Sequence, residues 1–262
     1  MSIQPRKPWL LSEKLNQTTI SPQTNINLIT EQPDYLIINK PAGLTVHPGT
    51  TTLTETTLTD LLLKQYPEIK MVGEDVTRPG IVHRLDKDVS GVMVIARTPE
   101  MYAHLKQQFQ HHLIYKQYVA IVHGKFTQPN GIINFSIQRS AQDGSKMAAR
   151  PDTSGRPAQT DYTVLRQFQH YALVSLIIHT GRTHQIRVHL NAFGHPIIGD
   201  TVYRPKKFKT RLNPGRIFLH AETLKFTTLA SELVAYTAPL PDIMQDFLKQ
   251  IAPLPPKGGI IH

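Results

Sequence analysis

Within eight residues the chain carries His83, Arg84, Asp86, Lys87, Asp88 and Ser90, between a Pro79-Gly80 break and the apolar run Val92-Met93-Val94-Ile95-Ala96. A polar cluster hung between a turn and a buried strand is where a scaffold commonly presents chemistry. Asp86 stands two residues after Arg84 and next to Lys87. A neighbouring guanidinium orients a carboxylate and favours its ionised form, and an ionised aspartate can serve as nucleophile or base without a cofactor. The competing reading is a solvated turn with an incidental salt bridge.

Other chemistries lack an anchor. There is no GxGxxG and no Gly-rich loop ending in Lys-Ser/Thr, so nothing points to a nucleotide cofactor. His179, His184, His189 and His195 fall close together, but His184 and His189 are five apart, about 140° round a helix, and no HExxH occurs. They read as packing groups or phosphate donors, not metal ligands. The chain has no cysteine, which removes disulfides and thiolate chemistry. No GxSxG elbow supports a serine triad. The sequence therefore predicts neither cofactor nor metal.

The net charge is +10, and it is unevenly spread. From Arg139 to Arg216 there are 13 Lys/Arg against 4 Asp/Glu, whereas the rest of the chain carries 16 against 15. Such concentration suits a polyanion, nucleic acid before membrane, since no basic amphipathic helix accompanies it. No apolar run approaches the ~18–20 residues of a membrane span, and the N-terminus has no signal-like apolar core. The expectation is a cytoplasmic protein.

The elements that must position these residues follow from periodicity. Residues 1–30 read as an irregular leader that pairs with the domain near Ile26–Ile29. Strands are predicted at Tyr35–Asn39, Val92–Ala96, Lys116–His123, Asp161–Leu165, Tyr171–His179, Ile217–Phe226 and Leu233–Thr237. Helical spacing joins Leu58, Leu61, Leu62 and Tyr66, ended by Pro67. A second helix starts at Thr98-Pro99-Glu100, with Tyr102, Leu105 and Phe109 on one face. Thr183 is predicted to cap a third, with Ile186, Leu190 and Phe193 inward, Gly194 past its end, and Arg187 on the adjoining face. A last helix near Pro241 carries Ile243, Phe247 and Ile251 on one face. Residues 138–160 show no pattern and read as a long loop. The fold class is α+β, one domain over 31–252 on a mixed, mainly antiparallel sheet with flanking helices, followed by a flexible tail at 253–262.

The segment Gly80-Ile-Val-His-Arg-Leu-Asp-Lys-Asp-Val-Ser-Gly91 resembles the HRLD signature of the RluA-type RNA pseudouridine synthases. Asn39–Gly49, Lys116–Gly124, His179–Leu190, Gly194–Asp200 and Phe218–Ala221 are similar to family segments in the same order. The resemblance implies isomerisation of uridine in structured RNA, ribosomal or transfer, without cofactor. It implies that Asp86 is the catalytic aspartate, Tyr118 the tyrosine against the target base, and Arg187 the arginine paired with Asp86. Arg182 is the rival partner; the Thr183 cap favours Arg187, whose loss is expected to disable catalysis but leave folding largely intact. Leu219 would line the uridine pocket. Arg84, with His83, would hold the RNA, and Lys146 and Arg150 would grip it from the loop 139–159.

Two departures stand out. Where the family commonly has Thr in HRLDKDTSG, this chain has Val89, a change expected to affect packing. The leader is also too short for the N-terminal RNA-binding domain of many relatives, so target selection is expected to rest on the basic block. RNA is the one partner implied, for a monomer with no obligate protein partner. The alternative is a non-catalytic RNA-binding or ribosome-assembly factor of the same fold.

Overall fold

The computed structural model describes residues 25–48, 55–144, 146–150, 154–204 and 214–251. One nine-stranded sheet runs β1 (Leu28–Glu31), β2 (Tyr35–Lys40), β3 (Ser90–Ala96), β10 (Leu219–Thr227), β4 (Tyr115–His123), β9 (Tyr171–Ile178), β8 (Thr160–Gln167), β5 (Asn130–Ile133), with β11 (Leu233–Thr237) also on β10. Every pairing is antiparallel except β3–β10, where His220 and Ala221 lie beside Ser90 and Gly91. That parallel seam sits at the middle of the sheet, at the end of the polar cluster.

Strand β3 is buried along its whole length, as a strand covered on both faces requires. Helix α1 (Leu58–Gln65) begins with a capping box between Thr57 and Asp60, which satisfies its first free amides. Helix α2 (Pro99–Gln110) is capped by Thr98, as predicted. Its innermost residues are Met101, Leu105 and Gln108, with Tyr102 and Phe109 flanking. The Gln108 amide exchanges two hydrogen bonds with the Thr227 backbone, which gives a polar side chain a reason to be inside. Helix α4 (Asp242–Gln250) buries Met244 and Phe247, so its inner face is turned slightly from the predicted one.

Three predictions need correction. Residues expected to form a patternless loop include a second, two-stranded sheet, β6 (Ser136–Arg139) with β7 (Met147–Arg150). Four-residue strands are too short to show an alternation. This ribbon is held by what it packs on: Ile137, Ala158, Val188 and Tyr203 form a separate small core. The short edge strand β5 also had no pattern to reveal it. Thirdly, helix α3 spans Gln185–Ala192 and Thr183 does not cap it. The predicted tail lies outside the described residues, as do Lys206, Lys207, Lys209 and Arg211 of the basic block.

Candidate active site

The polar cluster is pinned at both ends. Gly80, at φ +69°, donates its N–H to Val72 O and accepts from Ala96 N–H. His83 Nε2 accepts from the Val94 backbone N–H at 3.1 Å, and its ring stacks on Phe109. Burial, helped by the Lys116 charge, pushes the His83 pKa down to about 3, so the ring is neutral. It is a peg fastening the loop to β3 and is not among the residues that line the cleft. At the far end Gly91 has φ +128°, and a Cβ there would overlap the Ala221 carbonyl across the parallel seam. Beneath the loop Lys40, 0% exposed, donates to Pro41 O, Leu44 O and Lys87 O at 2.7, 2.8 and 3.0 Å. Lys87 turns outward to Glu55, and Val89 packs into the core.

Between these anchors Asp86 projects into a cleft also lined by Arg84, Tyr118, Arg187 and Leu219. Tyr118 on β4 pairs with Ala221 and Leu219 on β10 with Ala120, which puts Tyr118 and Leu219 diagonally on one face of the sheet. Both are buried. Burial, then the Asp86 charge, raises the Tyr118 pKa well above the usual phenol range, so its hydroxyl keeps its proton at neutral pH.

Arg187 comes from α3. Its Nη1 donates to Asp86 Oδ2 at 3.2 Å, while Nε and Nη2 donate to Asp200 Oδ2 and Oδ1 at 2.8 and 3.0 Å. Asp200 is itself fixed by the backbone N–H groups of Val202 and Tyr203. Burial disfavours the Arg187 charge, but Asp200, and to a lesser degree Asp86, reverse this and raise its pKa. The bidentate partner is therefore Asp200, and Asp86 receives a single N–H. That arrangement orients Asp86 while leaving its charge only partly compensated. Arg182, the rival, donates instead to Pro157 O.

The turn before α3 explains the missing cap. Gln185 accepts from Thr180 Oγ1 and Arg182 N–H and donates to Gln159 O and Thr160 Oγ1, so one buried amide ties the whole turn. The backbone then passes through His184 at φ +55° into the helix. His184 Nδ1 lies 2.7 Å from Tyr203 Oη, and its Nε2 faces Asp86 Oδ2 at 3.7 Å.

The remaining predicted residues lie further out. Arg84 is at the exposed rim, its Nη1 donating to His47 Nε2 at 3.3 Å. Lys146 precedes β7 of the hairpin and Arg150 is its last residue, both outside the cleft lining, and Lys146 pairs with Asp143. The four clustered histidines diverge: His179 meets Asp161, His189 meets Thr160 and Phe135 O, and His195 stacks on Phe126. Among the described residues no group of three acids or histidines could hold a metal. Sequence reasoning missed Asp200, His184, Gln185 and Tyr203. For Asp200 one signal existed: it is one of only four acids in the basic block.

A profile of the RNA pseudouridylate synthase family matches residues 34–192. The chain is 44% identical over 214 residues to an uncharacterized RNA pseudouridine synthase of Chloroflexus aurantiacus, aligning 81% of this chain with 65% of that protein. It is 38% identical over 236 residues to the ribosomal large subunit pseudouridine synthase D of Nitrosomonas europaea, covering 88% of this chain and 66% of that one. The chain thus spans slightly under two thirds of the length of these relatives. Among solved structures, human RNA pseudouridylate synthase domain containing 4 superposes with a TM-score of 0.65 at 28% identity, over 85% of this chain and 92% of that chain.

Proposed function

The chain belongs to the RNA pseudouridylate synthase family, and from that premise we propose that it isomerises uridine in RNA to pseudouridine at the Asp86 cleft. The observation that carries the reading is the Asp86 carboxylate, 21% exposed at its side chain and held through one oxygen by Arg187, facing the space beside Tyr118 and Leu219. The reaction breaks the C1′–N1 bond of uridine, forms a C1′–C5 bond, releases the C5 proton and protonates N1, so that the composition is unchanged. An ionised carboxylate supplies the nucleophile or base for this without a cofactor. The apolar wall of Leu219 and the ring of Tyr118 suit a base withdrawn from its stack, a step that costs a few kcal/mol.

The relatives named for the ribosomal large subunit favour large-subunit ribosomal RNA over transfer RNA as the substrate. The rival function, a non-catalytic RNA-binding or assembly factor, gives no reason to place a partly compensated carboxylate in an apolar-walled cleft. Pseudouridine maps of cells with and without the gene test the proposal. The expected result is loss of defined sites from large-subunit RNA, restored by the wild-type gene and not by Asp86→Asn. An unchanged map, or restoration by Asp86→Asn, would overturn it.

A further inference from the structure

His184 is an ionisable group of this cleft that the proposed reaction leaves without a role. Its backbone is left-handed at φ +55° and ψ 21°, a conformation uncommon for a side chain with a Cβ and kept only where the surroundings impose it. It follows the turn that the Gln185 amide ties together. The imidazole consequently stands between Tyr203 and Asp86, with Nδ1 2.7 Å from Tyr203 Oη and Nε2 3.7 Å from Asp86 Oδ2.

The two partners favour one tautomer. Tyr203 Oη accepts the Met147 backbone N–H at 3.1 Å and has a hydrogen of its own to give to His184 Nδ1. The group facing Nε2 is a carboxylate, which when ionised only accepts. A neutral ring with its hydrogen on Nε2 suits both partners. The charged groups around the ring are Asp86 and Asp200, which favour the imidazolium, and Arg187 and Arg84, which oppose it; burial outweighs them and lowers the pKa from its usual value. The shift favours the neutral ring.

We propose that His184 is a positioning residue for Asp86, offering an Nε2–H to the same Oδ2 that Arg187 holds and so leaving Oδ1 as the oxygen that reacts. The proposal rests on the reading of Asp86 as the reactive carboxylate. At 3.7 Å the approach is longer than a hydrogen bond; catalytic hydrogen bonds of this kind tighten when substrate closes the site. Met147 opens β7, so the same relay joins the cationic hairpin to Asp86.

Two readouts on the full chain test this. Nitrogen-resolved NMR of the histidine rings should find His184 protonated at Nε2 near neutral pH. Tyr203→Phe should populate the other tautomer, and Asp86→Asn should lower the ring pKa, because a carboxylate that favours the imidazolium is gone. Single-turnover conversion of RNA supplies the second readout. His184→Asn, chosen because asparagine accepts a left-handed backbone, should lower the rate about tenfold with RNA affinity changed by less than about twofold. A proton on Nδ1, a ring titration indifferent to Asp86→Asn, or a wild-type rate in His184→Asn would overturn the proposal. If the wild type itself leaves uridine unchanged, the proposed function falls, and the ring titration alone still decides whether His184 faces Asp86.

Discussion

Asp86 owes its setting to an arginine that is chiefly occupied elsewhere. Arg187, 8% exposed at its side chain, gives its fork to Asp200 and one N–H to Asp86. The expectation that Arg187→Ala would leave folding intact therefore does not fit the structure. Removing the guanidinium strands the buried Asp200 carboxylate, and breaking a buried ion pair costs about 3–5 kcal/mol. Arg187→Ala should lose stability by that order as well as activity, checked by urea denaturation; a variant as stable as wild type would contradict the ion-pair geometry. At this scale the sequence revealed Asp86 and Arg187 through motif resemblance, although the helix cap used to choose Arg187 over Arg182 does not exist. Asp200 and His184 stayed hidden because what matters about them is a meeting with another segment, and neither carries a local pattern.

The elements hold the loop through its backbone more than through its side chains. Lys40 at the end of β2 donates to three carbonyls, one of them Lys87 O, directly after Asp86. Burial pushes its pKa down to about 7, with Asp88 and Asp86 working against the shift and Arg216 with it. Lys40→Met keeps the aliphatic stem but takes the ammonium from all three carbonyls, of which Lys87 O still accepts the Gly43 N–H, so it should destabilise the fold by about 1–3 kcal/mol and slow turnover. Denaturant midpoints and single-turnover rates would check this; a variant at least as stable as wild type would show that the ammonium is not an anchor. Most strands and helices were legible because their apolar spacing matches their burial. The β6–β7 hairpin was not, since its four-residue strands owe their order to Val188 and Tyr203 in distant segments. The turn at 179–184 was misread for a related reason: Gln185 acts as the tie from inside the helix, where a hydroxyl before the helix is the usual signal.

For the molecule as a whole, the sheet supplies a rigid floor, and the basic block is the surface proposed to supply affinity for RNA. Among the described residues no helix is long and apolar enough to cross a membrane. Lys146 and Arg150 place two cations on a ribbon that leads through Met147 and Tyr203 to the cleft. Replacing both by alanine should weaken RNA binding and lower the dependence of log affinity on log salt by about 0.7–0.9 for each phosphate no longer neutralised. An unchanged slope would place RNA elsewhere on the surface. The uneven charge was visible in the sequence, whereas its relation to the cleft required the fold. The central claim is that Asp86 carries out an isomerisation of uridine in RNA, and release of tritium from RNA labelled at uridine C5 tests it most directly. Wild-type protein should release tritium from large-subunit ribosomal RNA in a buffer containing chelator, and Asp86→Asn should release none while still binding the RNA. No release by the wild type, or equal release by Asp86→Asn, would contradict the account.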